Sequence, residues 1–278
     1  MPLVTPHDAL RRACRERRGL AAFNVIQLEH AEAYAAAAEA TGCTIVLQIS
    51  QNAVRYRGAL APLAKAVTAV AEASSAPLVL HLDHADDRVL VREALELGFT
   101  SVMFDASALP YADNVASTAE VVAEAHAVGA AVEAELGEIG GKDGVHAPGV
   151  RTDPKEAAEF VRDTGVDSLA VAVGSSHAML ERTAVLDLDL IGELRKAVDV
   201  PLVLHGSSGV PDATLTAAIR AGMTKINIAT HLNHALTDAV RNYLAEHPTV
   251  VDPRKYLGAG RAAMTEEVIR LLGVLDAV

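Results

Sequence analysis

Eight short apolar runs recur along the chain, each separated from the next by a longer Ala-rich or charged stretch of helical pattern, and this rhythm constrains the fold more than any other feature. The runs are Leu20–Val25, Thr44–Ile49, Pro77–Asp83, Thr100–Phe104, Ala130–Leu136, Ser168–Gly174, Pro201–His205 and Lys225–Ala229. Runs this short and continuously apolar read as parallel strands covered on both faces. Helical patterns fall between them, for example at Leu28–Thr41, Ala59–Ala73, Arg88–Leu97 and Val115–Val128. Gly42, Gly98, Gly129, Gly165 and Gly222 each stop a helix just before the next strand. Eight such units without a linker or composition break predict one closed (β/α)8 barrel, of the TIM-barrel type, over residues 1–278. The rival, an open doubly wound sheet, calls for a Gly-rich dinucleotide turn after an early strand, and the sequence has none.

Composition agrees with a packed barrel. Of 278 residues 51% are hydrophobic and only 3% aromatic, with no Trp, so Ala, Val, Leu and Ile must build the core. The formal charge of −12 excludes a broad nucleic-acid surface. It leaves an anionic small substrate open, because helix N-termini and metal ions act locally. Cys14 and Cys43 stand apart from any Cys-x-x-Cys motif, which excludes a thiolate zinc site. The first 18 residues carry charges throughout and no uncharged run reaches the length of a membrane span, so the expectation is a cytoplasmic protein with neither membrane nor nucleic acid among its partners.

Barrel chemistry gathers at the C-terminal ends of the strands. Here those ends read His81-Leu82-Asp83-His84, Asp105-Ala106-Ser107, Gly174-Ser175-Ser176-His177, His205-Gly206-Ser207-Ser208-Gly209 and Asn227-Ile228-Ala229-Thr230, while strand five carries Glu133 and Glu135. Four of the 11 histidines sit at three of these ends. A catalytic zinc takes three protein ligands and keeps a position open, and His84, His177 and His205 come from three different strands. A lone barrel histidine is more often a core or hydrogen-bonding residue; three at rim positions favour ligation. Asp83, next to one of them, suits a general acid or base, whereas Asp86 or Asp87 suits a helix cap. His81 is expected to face the same side as Asp83 and to support it. The Ser/Gly turn after strand seven and residues 227–230 after strand eight occupy the usual barrel site for a phosphate. Lys225, two residues before Asn227 on the same strand, is the rejected candidate for a Schiff base. The stretch from Gly137 to Gly149 is too long and Gly-rich for an ordinary connection and predicts a mobile lid.

Taken together, these residues resemble the class II, metal-dependent fructose-bisphosphate aldolase family, in particular its tagatose- and ketose-bisphosphate branch. The likeness runs from Ala22-Phe23-Asn24-Val25 through His81–His84, Ser101–Ser107, Val132–Gly137, the His177 and His205 segments and Lys225–Thr230 to Asp252-Pro253-Arg254-Lys255-Tyr256-Leu257. The resemblance implies zinc held by His84, His177 and His205. It implies that Asp105 and Glu135 hold the metal in a buried alternative position, or a second divalent or a monovalent cation. Asp83 matches the acid/base at the C4 hydroxyl. Ala178, Gly206, Ser207, Ser208, Asn227, Ile228, Ala229 and Thr230 match the segments that bind the dihydroxyacetone phosphate half, and Ser50 and Arg254 match residues that reach the other phosphate, the arginine across a subunit interface. The implied activity is reversible retro-aldol cleavage of a ketose 1,6-bisphosphate, of fructose or tagatose type, through a metal-stabilised enediolate, in a glycolytic setting and in a homodimer or homotetramer.

The chain also departs from the family pattern. Ala85, Ala178, Ser207 and Asn52 stand where glycine is common, Gln27 replaces a frequent Asn, and Lys142-Asp143 stands where relatives carry an acidic pair. These departures keep two further readings open: a related aldolase that joins dihydroxyacetone phosphate to a different aldehyde, and a non-catalytic sugar-phosphate-binding barrel.

Overall fold

A computed structural model describes residues 4–136, 151–177 and 179–277. Eight strands form a closed, all-parallel barrel in sequence order: β1 Leu20–Asn24, β2 Ile45–Ser50, β3 Leu78–Ala85, β4 Ser101–Phe104, β5 Ala131–Leu136, β6 Ser168–Val171, β7 Leu202–Leu204 and β8 Met223–Ile228. Around it run α1 Pro6–Glu16, α2 Leu28–Thr41, α3 Gln51–Arg57, α4 Ala61–Ala73, α5 Arg88–Glu96, α6 Tyr111–Ala127, α7 Pro154–Thr164, α8 Leu188–Ala197, α9 Asp212–Ala221, α10 Thr230–Glu246 and α11 Pro253–Val274. The fold is a (β/α)8 TIM barrel. No helix among the described residues is long and apolar enough to cross a membrane.

Strand alternation sorts each strand into two faces. The outward face of β1 to β3, with Phe23, Leu47, Ile49 and Leu80 fully or almost fully buried, packs on the helices in the main core. The inward face at the N-terminal end of the barrel is apolar: Leu20, Ala22, Val46 and Val79 meet Leu10 and Ala13 of α1, which plugs that end. Above this floor the interior turns polar, with Gln48, His81, Glu133 and Lys225 all buried. Polar side chains inside a barrel cost free energy unless each is paired, and this layer supports the site at the opposite mouth.

Helix ends follow the sequence signals. The five glycines expected as stops all adopt positive φ, from 71° at Gly42 to 139° at Gly222, where a Cβ carries strain. Asp87 caps α5 by accepting from Val89 N at 2.8 Å. Helix α6 starts at Tyr111 rather than near Val115, because Pro110 sits at the N-cap and fixes the entry. Strand β6 ends at Val171, three residues short of expectation: the Ala172 amide donates to Thr152 Oγ1 at 2.8 Å instead of to a neighbouring strand. Strand β8 begins two residues early, at Met223, and a register shift against β7 takes up the extra residue.

Candidate functional site

At the C-terminal mouth lies a cavity of about 430 Å3. Asp83, His84, Asp105, His177, His205 and Asn227 form its floor, Ser50, Gln51, Asn52, Arg55 and Asp86 one wall, and Gly206, Ser208, Ala229 and Thr230 another.

Asp83 and His84 are consecutive in β3, so regular alternation would send them to opposite faces. A bulge prevents this. Leu82 pairs with Val102 and Ala85 with Phe104, so three steps along β3 oppose two along β4. Leu82 and Ala85 therefore both join the outer core, and the two residues between them both turn into the barrel. His84 takes the left-handed backbone conformation, φ 49°, to do so. Bulges of this kind re-aim side chains beside functional sites.

The three imidazoles meet. Their ring centroids are 4.5 Å (His84–His205), 5.1 Å (His84–His177) and 5.8 Å (His177–His205) apart. One ligand atom from each lies within 4.8 Å of the others, and His84, Asp105 and Glu135 form a second such group. His84 Nδ1 lies 2.9 Å from Asp105 Oδ2, and His205 Nε2 lies 2.9 Å from Glu133 Oε1. A carboxylate only accepts, so each of these ring nitrogens is the one that carries the proton. The remaining nitrogens, His84 Nε2 and His205 Nδ1, then face each other 2.7 Å apart with their lone pairs. Burial holds the His205 pKa well below the usual imidazole value, which disfavours a shared proton. Two converging lone pairs with a third imidazole alongside fit a divalent cation of the borderline-soft kind.

Asp83 is 2% exposed, and burial works to raise its pKa. Against burial, the nearby His84, His205 and Lys225 side chains and the hydrogen bond from the Asn24 amide hold the carboxyl below its ordinary value. Asn24 Nδ2 donates to Asp83 Oδ2 at 2.8 Å, and Gln48 Nε2 donates to Asn24 Oδ1 at 2.8 Å.

The model of the family described as fructose-bisphosphate aldolase class-II matches residues 4–278. The chain belongs to the class II fructose-bisphosphate aldolase family. Among the relatives of this class II chain is the fructose-bisphosphate aldolase of Geobacillus stearothermophilus, 41% identical over 97% of this chain and 95% of the relative. The probable fructose-bisphosphate aldolase of Bacillus subtilis is also 41% identical, over 97% and 96%. In structure, the YdjI aldolase of Escherichia coli K12 is similar with a TM-score of 0.88 at 30% identity, covering 99% of this chain and 98% of that one.

The other residues expected at a class II site are placed unequally. Ser50 lines the wall and caps α3, its Oγ accepting from Ala53 N at 3.2 Å. Ser208 lines the opposite wall, and its Oγ accepts from Ala229 N and His231 N, both at 3.2 Å, which ties the turn after β7 to the start of α10. Three expected substrate residues do not present side chains to the cavity. Ser207 turns inward to donate to Leu204 O at 3.0 Å, because its short 3-10 turn folds back on β7. Ile228 alternates outward into the helix-facing core. Arg254 stands on α11, its side chain 89% exposed and paired with Asp252 at 2.7 Å, outside the cavity. Glu135 is fully buried beneath the mouth, beside Asp105 and Ser107. Ala178 and the expected lid over 137–149, with Lys142 and Asp143, lie outside the described residues.

Sequence reasoning missed the support of Asp83 by Asn24 and Gln48, and the cavity positions of Gln51 and Arg55. Asn24 and Gln48 are polar residues at inward positions near strand ends, a signal that alternation alone could have exposed. His81 does not touch Asp83 as expected. Its Nδ1 donates to Ser101 Oγ at 2.7 Å and its Nε2 lies 3.2 Å from Lys225 Nζ, because it sits one layer lower in the barrel.

Proposed function

We propose that this chain is a zinc-dependent aldolase that reversibly cleaves a ketose 1,6-bisphosphate, of fructose or tagatose type, into dihydroxyacetone phosphate and glyceraldehyde 3-phosphate. The observation that carries the reading is the convergence of His84, His177 and His205 with Asp83 on the same cavity floor. The names of the relatives support the substrate class. His84, His177 and His205 would hold the zinc, and Asp105 with Glu135 would offer an alternative position or a second cation site. Zinc bound there supplies Lewis-acid charge against the negative charge that develops on the ketose oxygens as C3–C4 breaks.

The remaining work falls to the chain. Asp83, held ionised at neutral pH, accepts the C4 hydroxyl proton during cleavage and returns it during condensation. Asn24 and Gln48 fix the carboxylate's direction, so little reorganisation is needed at the moment of transfer. Asn227, Ser208 and the start of α10 receive the phosphate of the three-carbon half, where backbone amides and the helix dipole favour an anion. Ser50 reaches the distal phosphate, and Arg254 would join it only from a second copy, consistent with a homodimer or homotetramer.

The test separates this route from a covalent one. Chelation should abolish retro-aldol activity and added zinc restore it, while borohydride with substrate should leave activity intact. Loss of activity to borohydride with no effect of chelator would overturn the reading and return Lys225 to consideration. Assaying fructose and tagatose bisphosphates side by side reads the stereochemical preference.

A further inference from the structure

Below the histidines lies a buried charged group that the proposed mechanism does not use. Glu133 and Lys225 are each 2% exposed and His81 1%. Lys225 Nζ donates to Glu133 Oε2 at 2.7 Å and also reaches His81 Nε2 at 3.2 Å. The other oxygen of Glu133, Oε1, accepts from His205 Nε2 at 2.9 Å. So Ser101, His81, Lys225, Glu133 and His205 form one hydrogen-bonded chain that crosses the barrel interior from β4 to β7.

Resting on the metal reading above, we infer that Glu133 and Lys225 are a positioning pair that sets which nitrogen of His205 faces the metal. Glu133 can only accept, so it draws the His205 proton to Nε2 and leaves the Nδ1 lone pair aimed at the convergence point. Asn227 Nδ2 also lies near His205 Nε2, at 3.1 Å. An amide N–H can only donate, so this contact by itself opposes a proton on Nε2, but the charged carboxylate of Glu133 at 2.9 Å is the shorter and stronger partner and draws the proton there; the same amide also lies 3.5 Å from Asp83 Oδ1. Lys225 holds Oε2, balances the buried carboxylate, and so keeps Oε1 directed at the ring. A buried ion pair of this kind is a poor source of stability compared with apolar packing, which points to a role beyond folding. Lys225 is thereby engaged with Glu133 instead of standing free for covalent chemistry.

The test measures metal affinity and tautomer, apart from turnover. Zinc affinity is read by competition with a chromophoric chelator for the wild-type protein, Glu133→Gln, and the double variant Glu133→Gln/Lys225→Met. In the folded variants the zinc Kd should rise roughly 10- to 100-fold. The double variant removes both buried charges together and covers the case in which Glu133→Gln alone does not fold. In the zinc-loaded wild-type protein, 15N-resolved NMR of the histidine rings should place the His205 proton on Nε2. A folded variant that binds zinc like the wild type, or a His205 proton on Nδ1, would overturn the inference while leaving the aldolase reading standing. A wild-type protein that binds no divalent cation would take both down.

Discussion

Asn24 donates its side-chain amide to Asp83 Oδ2 at 2.8 Å from two strands away, and this one bond orients the carboxylate over the cavity. Removing the carboxylate and removing its support should therefore have different consequences. Asp83→Asn should lower kcat by roughly 10²–10⁴-fold, the usual range for a lost acid/base group, with metal content unchanged. Asn24→Ala should lower kcat by up to about 10²-fold through misdirection of a carboxylate that is still present. Parallel kcat and metal determinations check both, and an Asp83→Asn enzyme with wild-type turnover would remove that residue from the mechanism.

Metal removal should be visible in stability as well as activity. An ion that binds only the folded state stabilises it by about 2.7 kcal/mol at a hundredfold excess over Kd. The apo protein should therefore melt several degrees below the zinc form, and His177→Ala should melt like the apo protein with or without zinc. Calorimetry of the four samples reads this, and zinc-dependent stabilisation of His177→Ala would place the ion elsewhere.

Gly206 follows directly on His205 and has φ +66°, and a Cβ there would stand 2.6 Å from both the carbonyl carbon and the oxygen of Ser176. Backbone cannot yield as a side-chain tip can. Gly206→Ala should cost about 1–3 kcal/mol, a fall in Tm on the order of 5 °C for a chain of this size. It should also weaken metal binding, since the turn that holds His205 must shift. An unchanged Tm would show that the turn has slack.

Away from the mouth, Arg88 and Arg92 on α5 grip Glu124 on α6 at 2.6 and 2.8 Å. The hydrogen bonds from Arg92 and then Arg88 push the Glu124 pKa down from 4.5 to about 2. A carboxyl whose pKa is lower folded than unfolded adds stability above its unfolded value and loses it as pH falls through the folded one. Glu124→Gln should therefore melt below the wild type at pH 7, and the gap should close between about pH 4.5 and 2. A gap independent of pH would assign the effect to packing.

The barrel was legible because its determinants are local. Short apolar runs, helical stretches and a glycine before five of the strands are set by neighbours in sequence, and Leu28–Thr41 was placed to the residue. Strand ends were less so. Nothing near Ala172 announces that its amide will be taken by Thr152, 20 residues away. Within the site, the histidines and Asp83 stood out as polar residues at strand ends, whereas the family likeness alone pointed to Arg254, whose side chain lies outside the cavity of a single chain.

From its order of residues alone, this protein is committed to eight parallel strands and to the donor types at their tips, since periodicity and side-chain chemistry do not depend on distant contacts. Which way those donors point was settled only in three dimensions. Alternation would have parted Asp83 from His84, and a bulge against β4 put both in the mouth. Likewise, Glu133, Lys225 and His205 lie far apart along the chain, and only barrel closure brings β5, β7 and β8 near enough to join them through buried hydrogen bonds.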